Sequence, residues 1–259
     1  MIAGLNVGFE GHLVGRPLLD DLSARGVRMV RHDCLEVGNA ADLTNIITET
    51  VDAGLAPLVV MRPDQMLWLP SVAVFGILDV EIWNEPDIGT PPTRRMTPQD
   101  YAEEARAAHD YNVCGHRLWA GVISNLDVDS LEWLKASIAA GWPEGVGVSA
   151  HWYPPKGSLP PDNAHKGFGS RRHEAERLKA VIGDRPFLIS ECGYNDGESL
   201  TPQQVLEATR FEVEFWTEQG ATALILYQVN DGPGTSYLDH FGWRDTQGNW
   251  KPVSEALRT

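Results

Sequence analysis

Two glutamates in this chain stand where a pair of carboxyl groups could act on one substrate. Trp83-Asn84-Glu85-Pro86 closes one short apolar run, and Ser190-Glu191-Cys192-Gly193 closes another far along the chain. Two carboxyl groups set across a glycosidic bond can hydrolyse it: one protonates the leaving oxygen, and the other attacks the anomeric carbon or activates water. Either glutamate alone reads as an ordinary surface residue. Both at the ends of apolar runs point to one shared rim, which requires a fold that gathers distant strand ends.

Such a fold is written along the chain. Short β-rich runs at 2–7, 27–31, 55–61, 79–84, 117–122, 146–151, 186–191 and 222–228 alternate with amphipathic stretches. That alternation is the mark of βα units, and near-continuous apolar strands suit a parallel sheet covered on its outer face. Thr97-Pro98-Gln99-Asp100 and Thr201-Pro202-Gln203-Gln204 place a capping threonine before proline, with a polar residue at the third helical position. Gly26, Gly54, Gly141, Gly183 and Gly220 each follow a helical stretch, where a left-handed cap is expected. The third unit is the weakest, since residues 66–75 give only a short, proline-broken helix. A doubly wound sheet would carry an early G-x-G-x-x-G, and the chain has none. The expectation is therefore α/β: one (β/α)8 TIM barrel over residues 1–259. Its longer loops, 86–96, 153–169 and 229–244, follow strands and build the C-terminal face.

Composition excludes several classes. The net charge of −15 argues against a nucleic-acid partner, which would draw on clustered Lys and Arg. The longest apolar runs, Leu55 to Met61, Val72 to Leu78 and Ala221 to Tyr227, fall far short of the ~20 residues of a membrane span. Met1-Ile2-Ala3-Gly4-Leu5 opens no basic segment leading into an apolar stretch and a cleavage site, so no secretion signal is expected there. Both a secreted and a cytoplasmic location stay open, and a monomer is expected. Cys34, Cys114 and Cys192 are odd in number and widely spaced, which reads as three buried thiols rather than a disulfide framework or zinc site.

With these elements in place, the chain resembles a clan A glycoside hydrolase, the superfamily of retaining barrels that includes the family 5 cellulases and mannanases. There an Asn-Glu pair ends strand four, with the glutamate as acid/base, and a nucleophilic glutamate ends strand seven; the matching residues are Asn84-Glu85 and Glu191. The resemblance implies that Asn84 holds the 2-hydroxyl of the reacting sugar. Ser149-Ala150-His151-Trp152-Tyr153 is similar to the His-x-Tyr of strand six, where the tyrosine holds the nucleophile. Alternation puts His151 and Tyr153 on one face and Trp152 on the other. In Val30-Arg31-His32-Asp33 the resemblance makes Arg31 the neighbour of the nucleophile, while His32 and Asp33 read either as substrate contacts or as a rim salt bridge. Strand eight departs from the family pattern: Leu226-Tyr227-Gln228 stands where a tryptophan usually floors the site. Tyr227 is then a smaller floor, or Trp243 beyond it supplies the platform. Trp68, Tyr194 and Tyr237 are further sugar-stacking candidates in the loops, whereas Trp119, Trp133 and Trp216 read as core.

The implied activity is retaining hydrolysis of a β-linked glucan or mannan, endo-acting because the first two rim loops are short, with neither metal nor cofactor. Two rivals remain. A metal-dependent isomerase or nuclease would use Glu85, His151, Glu191 and Asp231 as ligands, although no H-E-x-x-H or other tight spacing supports it. A non-catalytic carbohydrate-binding barrel would not need the carboxylate pair. Neither G-x-S-x-G nor G-x-x-x-x-G-K-[ST] occurs, which speaks against nucleophilic-serine and phosphate chemistry.

Overall fold

The computed structural model describes residues 1–7, 15–89, 92–161, 164–165, 168, 170–197, 200–232 and 237–258, of Tyr237 and Leu238 only the backbone. Eight parallel strands close a barrel in chain order: β1 (Ile2–Asn6), β2 (Met29–Asp33), β3 (Ala56–Met61), β4 (Asp79–Ile82), β5 (Arg117–Ile123), β6 (Gly147–Trp152), β7 (Phe187–Cys192) and β8 (Ala223–Leu226). Around it lie α1 (Arg16–Ala24), α2 (Ala40–Asp52), a 3₁₀ helix (Pro63–Phe75), α3 (Pro98–Tyr111), α4 (Val128–Ala139), α5 (Arg171–Ile182) and α6 (Pro202–Gln219). A short 3₁₀ turn, Pro252–Glu255, takes the eighth place. The (β/α)8 barrel expected from the repeats is the observed fold.

Local chemistry accounts for the outer layer. Thr201 accepts a hydrogen bond from Gln204 N while the Gln204 side chain returns to Thr201, a complete capping box; Thr97 caps only Asp100 N. All five helix-ending glycines take positive φ. Pro70 lies inside the third outer element, which is a 3₁₀ helix rather than an α-helix, in keeping with its weak sequence pattern.

The interior has two levels. Met29, Leu58, Trp119, Leu188, Ala223 and Ile225 fill the lower end, where a Cβ on Gly147 would lie 2.5 Å from the Trp119 ring. Above this plug the inward positions turn polar: Arg31, Glu81, Ser149 and Ser190 are all buried. Outward residues such as Val30, Val59, Val80, Val148 and Leu224 join the helices in the main apolar layer.

Two irregularities prepare the rim. β4 ends at Ile82, earlier than the expected 79–84, because Trp83 and Glu85 take φ of 64° and 47°. Trp83 thereby packs outward, donating Nε1 to Glu104 of α3, and Asn84 turns in. In β7, register passes from Ala150↔Ile189 to His151↔Glu191, so Ser190 is an extra residue. A bulge of this kind re-aims the side chain that follows. Ser190 and Glu191 therefore both face the interior, which strict alternation would forbid.

Candidate active site

Glu191 is held at the barrel mouth by groups from β1, from β2 and from the residue that follows β6. Arg31 Nη1 donates to its Oε1 at 2.7 Å, and Asn6 Nδ2 reaches the same oxygen at 3.2 Å. Tyr153 donates its hydroxyl to Oε2 at 2.5 Å. Glu85 lies on the opposite side, its Oε1 accepting from His151 Nδ1 at 2.9 Å. The same Nδ1 is 3.6 Å from Glu191 Oε2. One carboxylate oxygen of Glu85, one of Glu191 and a ring nitrogen of His151 all lie within 4.8 Å of one another. The two carboxyl groups thus face each other across a narrow gap.

Beneath them a buried charge network sets the field. Arg31 donates Nε to Glu81 and Nη2 to Asn84 Oδ1 at 2.8 Å. Glu81 also accepts from Ser149, whose hydroxyl meets Ser190 at 2.6 Å. Burial alone would raise the Glu81 carboxyl, but the Arg31 charge and the hydroxyl donors outweigh it and hold it below the ordinary value. Burial would lower Arg31, yet Glu81 and Glu191 carry it well above its usual range. For His151, burial again opposes the charged form. The Glu191 charge and the hydrogen bond to Glu85 prevail and raise it above 6.5. Burial and the charge of Glu191 push the hydroxyls of Tyr153 and Tyr227 up, so both remain donors. Burial raises Asp33, which accepts from Leu35 N.

No protein-family model matches this sequence, and no curated protein does. Solved structures do resemble it. One of two fungal β-1,4-galactanases aligns with a TM-score of 0.73 at 13% identity, over 100% of this chain and 99% of its own. A GH5-4 broad specificity endoglucanase from Clostridium acetobutylicum aligns with 0.69 at 12%, over 100% and 97%. A family 39 glycoside hydrolase from Bacteroides cellulosilyticus WH2 aligns with 0.68 at 14%, over 98% of this chain but 62% of its own. At such identities the likeness is one of fold: the chain has the barrel of these glycoside hydrolases.

The structure gathers Arg31, Asn84, Glu85, His151, Tyr153 and Glu191 into one cluster, and Trp152 points away, donating Nε1 to Glu174 of α5. Tyr227, which precedes a cis peptide bond to Gln228, stands edge-on to Tyr153 with 5.9 Å between ring centres. Other expectations are corrected. His32 is not a substrate contact: alternation along β2 turns it outward, where Nε2 meets Thr50 of α2 at 2.8 Å. Trp243 is no platform, being 1% exposed within the apolar layer. Tyr194 is likewise buried, donating its hydroxyl to Glu212. Trp68 sits half-buried in the outer 3₁₀ helix against the apolar layer, and no described contact joins it to either glutamate. The Tyr237 side chain and residues 8–14 of the first rim loop lie outside the described residues. Cys34 and Cys192 are buried, whereas Cys114 is half-exposed.

Asn6, Glu81, Ser149 and Ser190 belong to the cluster and escaped the sequence reading. Glu81 carried a usable signal, since a charged residue inside a buried strand needs a partner. For metal binding, the described residues offer two groups: Glu85, His151 and Glu191, and separately Asp196, Asp231 and His240. Asp231 is therefore not a fourth ligand of the first group; Lys251 binds it together with Asp196.

Proposed function

We propose that this chain is a retaining β-glycoside hydrolase with a single catalytic barrel, in which Glu191 is the nucleophile and Glu85 the acid/base. The observation that carries this reading is the approach of the two carboxylates to within 4.8 Å between oxygens. It suits the ~5–5.5 Å separation of direct attack better than the ~6.5–9.5 Å that admits water behind the sugar. Glu191 attacks the anomeric carbon, while Glu85 gives its proton to the leaving oxygen. Glu85 then deprotonates a water that opens the glycosyl-enzyme. Arg31, Asn6 and Tyr153 hold Glu191 in place for attack. Arg31 can only donate, so Asn84 meets it with its carbonyl oxygen, and its amide nitrogen serves the 2-hydroxyl of the sugar. Tyr227 floors the site in place of a larger ring.

For the substrate we propose a β-linked glucan or mannan, cut internally. The fold shared with a β-1,4-galactanase and an endoglucanase fits that class. The test is a screen of β-linked polysaccharides and aryl β-glycosides with the wild type and Glu191→Ala. Turnover by the wild type alone supports the assignment, and equal turnover by both overturns it.

A second reading has one observation in its favour, the Glu85, His151 and Glu191 grouping that would suit a divalent cation. Against it, Arg31 already binds Glu191 at 2.7 Å, so a metal ion would sit beside a fixed positive charge. Activity lost to EDTA and restored by one divalent ion would establish the metal reading; unchanged turnover would remove it.

A further inference from the structure

We infer that Asp87 is a positioning residue that sets the aim of Glu85; the inference rests on the acid/base reading above. Three features of the chain after β4 lead to it. The backbone there is strained: Trp83 and Glu85 occupy left-handed conformations without being glycine. Such a conformation is costly for a residue other than glycine and persists only where its surroundings over-determine it. The Glu85 backbone is tied at two points, its N–H to Val122 O at 3.0 Å and its carbonyl to Gly89 N at 2.8 Å, while its carboxylate meets His151 Nδ1 at 2.9 Å. These bonds fix the turn internally and to β5, but they leave its outer limb to be anchored.

Asp87 supplies that anchor. Its side chain is buried, and its Oδ2 accepts from Ser124 Oγ at 2.8 Å and from Ser130 Oγ at 2.9 Å. Ser124 N adds a further bond to Oδ1 at 3.1 Å. Ser130 lies in the first turn of α4, where the helix dipole favours an anion. Arg95 Nε binds the Asp87 carbonyl at 3.1 Å, closing the loop back on itself. Only Pro86 separates Asp87 from Glu85, so a shift of the turn moves the carboxyl almost directly. The adjoining Asn125 accepts from Tyr153 N at 3.3 Å. The segment that Asp87 grips therefore also borders the tyrosine that holds Glu191.

A general acid works only within hydrogen-bond reach of the oxygen it protonates. A loosened Glu85 should therefore fail where protonation is demanding and matter little where the leaving group departs unaided. The experiment compares kcat/KM for phenyl and 2,4-dinitrophenyl β-cellobioside, with the β-mannobiosides as a second series, in wild type, Asp87→Ala and Glu85→Gln. Asp87→Ala is expected to lose about 10- to 100-fold on the phenyl glycoside and less than about threefold on the dinitrophenyl one. Asp87→Asn, which keeps an acceptor for Ser124, should recover part of the loss. Equal losses on both leaving groups, or none, overturn the inference, since a merely structural role would lower both alike. Should Asp87→Ala fail to fold, Ser130→Ala removes one donor and should show the same selectivity at about threefold, its absence overturning the inference equally. If Glu85→Gln itself lacks the selectivity, the acid/base reading falls and the inference with it. If Glu85→Gln is selective and the Asp87 variants are not, only the inference falls.

Discussion

Arg31 and Glu81 form an ion pair almost entirely removed from water, directly below the carboxylate of Glu191. An isolated buried charge is very unfavourable, so each of these residues is tolerable only with the other in place. The pair does more than neutralise. Glu81 fixes Nε, which leaves the two terminal nitrogens of Arg31 to grip Glu191 and Asn84 in one plane.

Removal of one partner follows from this at once. Glu81→Gln should destabilise the fold by about 3–5 kcal/mol, as the loss of one half of a buried pair does, measured by urea unfolding. Because the Glu81 carboxyl is held below its ordinary 4.5, its contribution is fully present above that pH and lost as pH falls through the folded value. The gap between wild type and variant should therefore narrow below about pH 4.5. A gap that widens on acidification would mean that Glu81 is not the stabilised anion described here.

His151 should show the opposite pH dependence. Its imidazolium is favoured by the charge of Glu191 and the hydrogen bond to Glu85, so the folded protein binds this proton more tightly than the unfolded chain. The resulting stability is present below 6.5, the ordinary histidine value, and disappears as pH rises through the folded value. Unfolding free energies of wild type and His151→Gln should therefore converge as the pH is raised above neutrality. Constant or growing separation would place the proton elsewhere.

The architecture was largely legible because most βα units announce themselves locally, through an apolar run with a capping residue or a closing glycine. The site was legible only where strand alternation holds. His151 and Tyr153 follow that rule and converge as expected. His32 follows it too: its place at the end of strand two left it open as a substrate contact or a rim salt bridge, and alternation from Arg31 sends it outward to Thr50. Glu191 sits on the interior only because of the bulge at Ser190, and Asn84 only because Trp83 takes positive φ. Neither irregularity has a sequence signature, since no glycine marks either position. Trp243 looked like a platform because loop position carries no information about depth, and a large ring in a loop is as useful for sealing the layer beneath it.

Glu191→Ala removes the proposed nucleophile while leaving Glu85 in place. The variant should lose several orders of magnitude in turnover. A small anion such as azide fits the space vacated by the carboxylate and can attack the same face of the sugar. Added azide should restore part of the rate on an aryl β-glycoside and yield the α-glycosyl azide. Full activity without azide would remove Glu191 from the chemistry.

The stereochemistry of the first product discriminates most sharply, since it depends on a distance already visible. With carboxylate oxygens of Glu85 and Glu191 within 4.8 Å, there is little room for a water behind the anomeric carbon. Attack then falls to Glu191 itself, from the face opposite the leaving group, and the glycosyl-enzyme carries the inverted configuration. Its hydrolysis by water, with Glu85 as base, inverts the centre again. Proton NMR of a β-linked substrate, read before mutarotation, should therefore show the β-anomer first. An initial α-anomer would require a single displacement by water and a gap of about 6.5–9.5 Å. Such a gap is wider than the 4.8 Å within which oxygens of the two carboxylates lie. That outcome would end the nucleophile role of Glu191 and the double-displacement reading together.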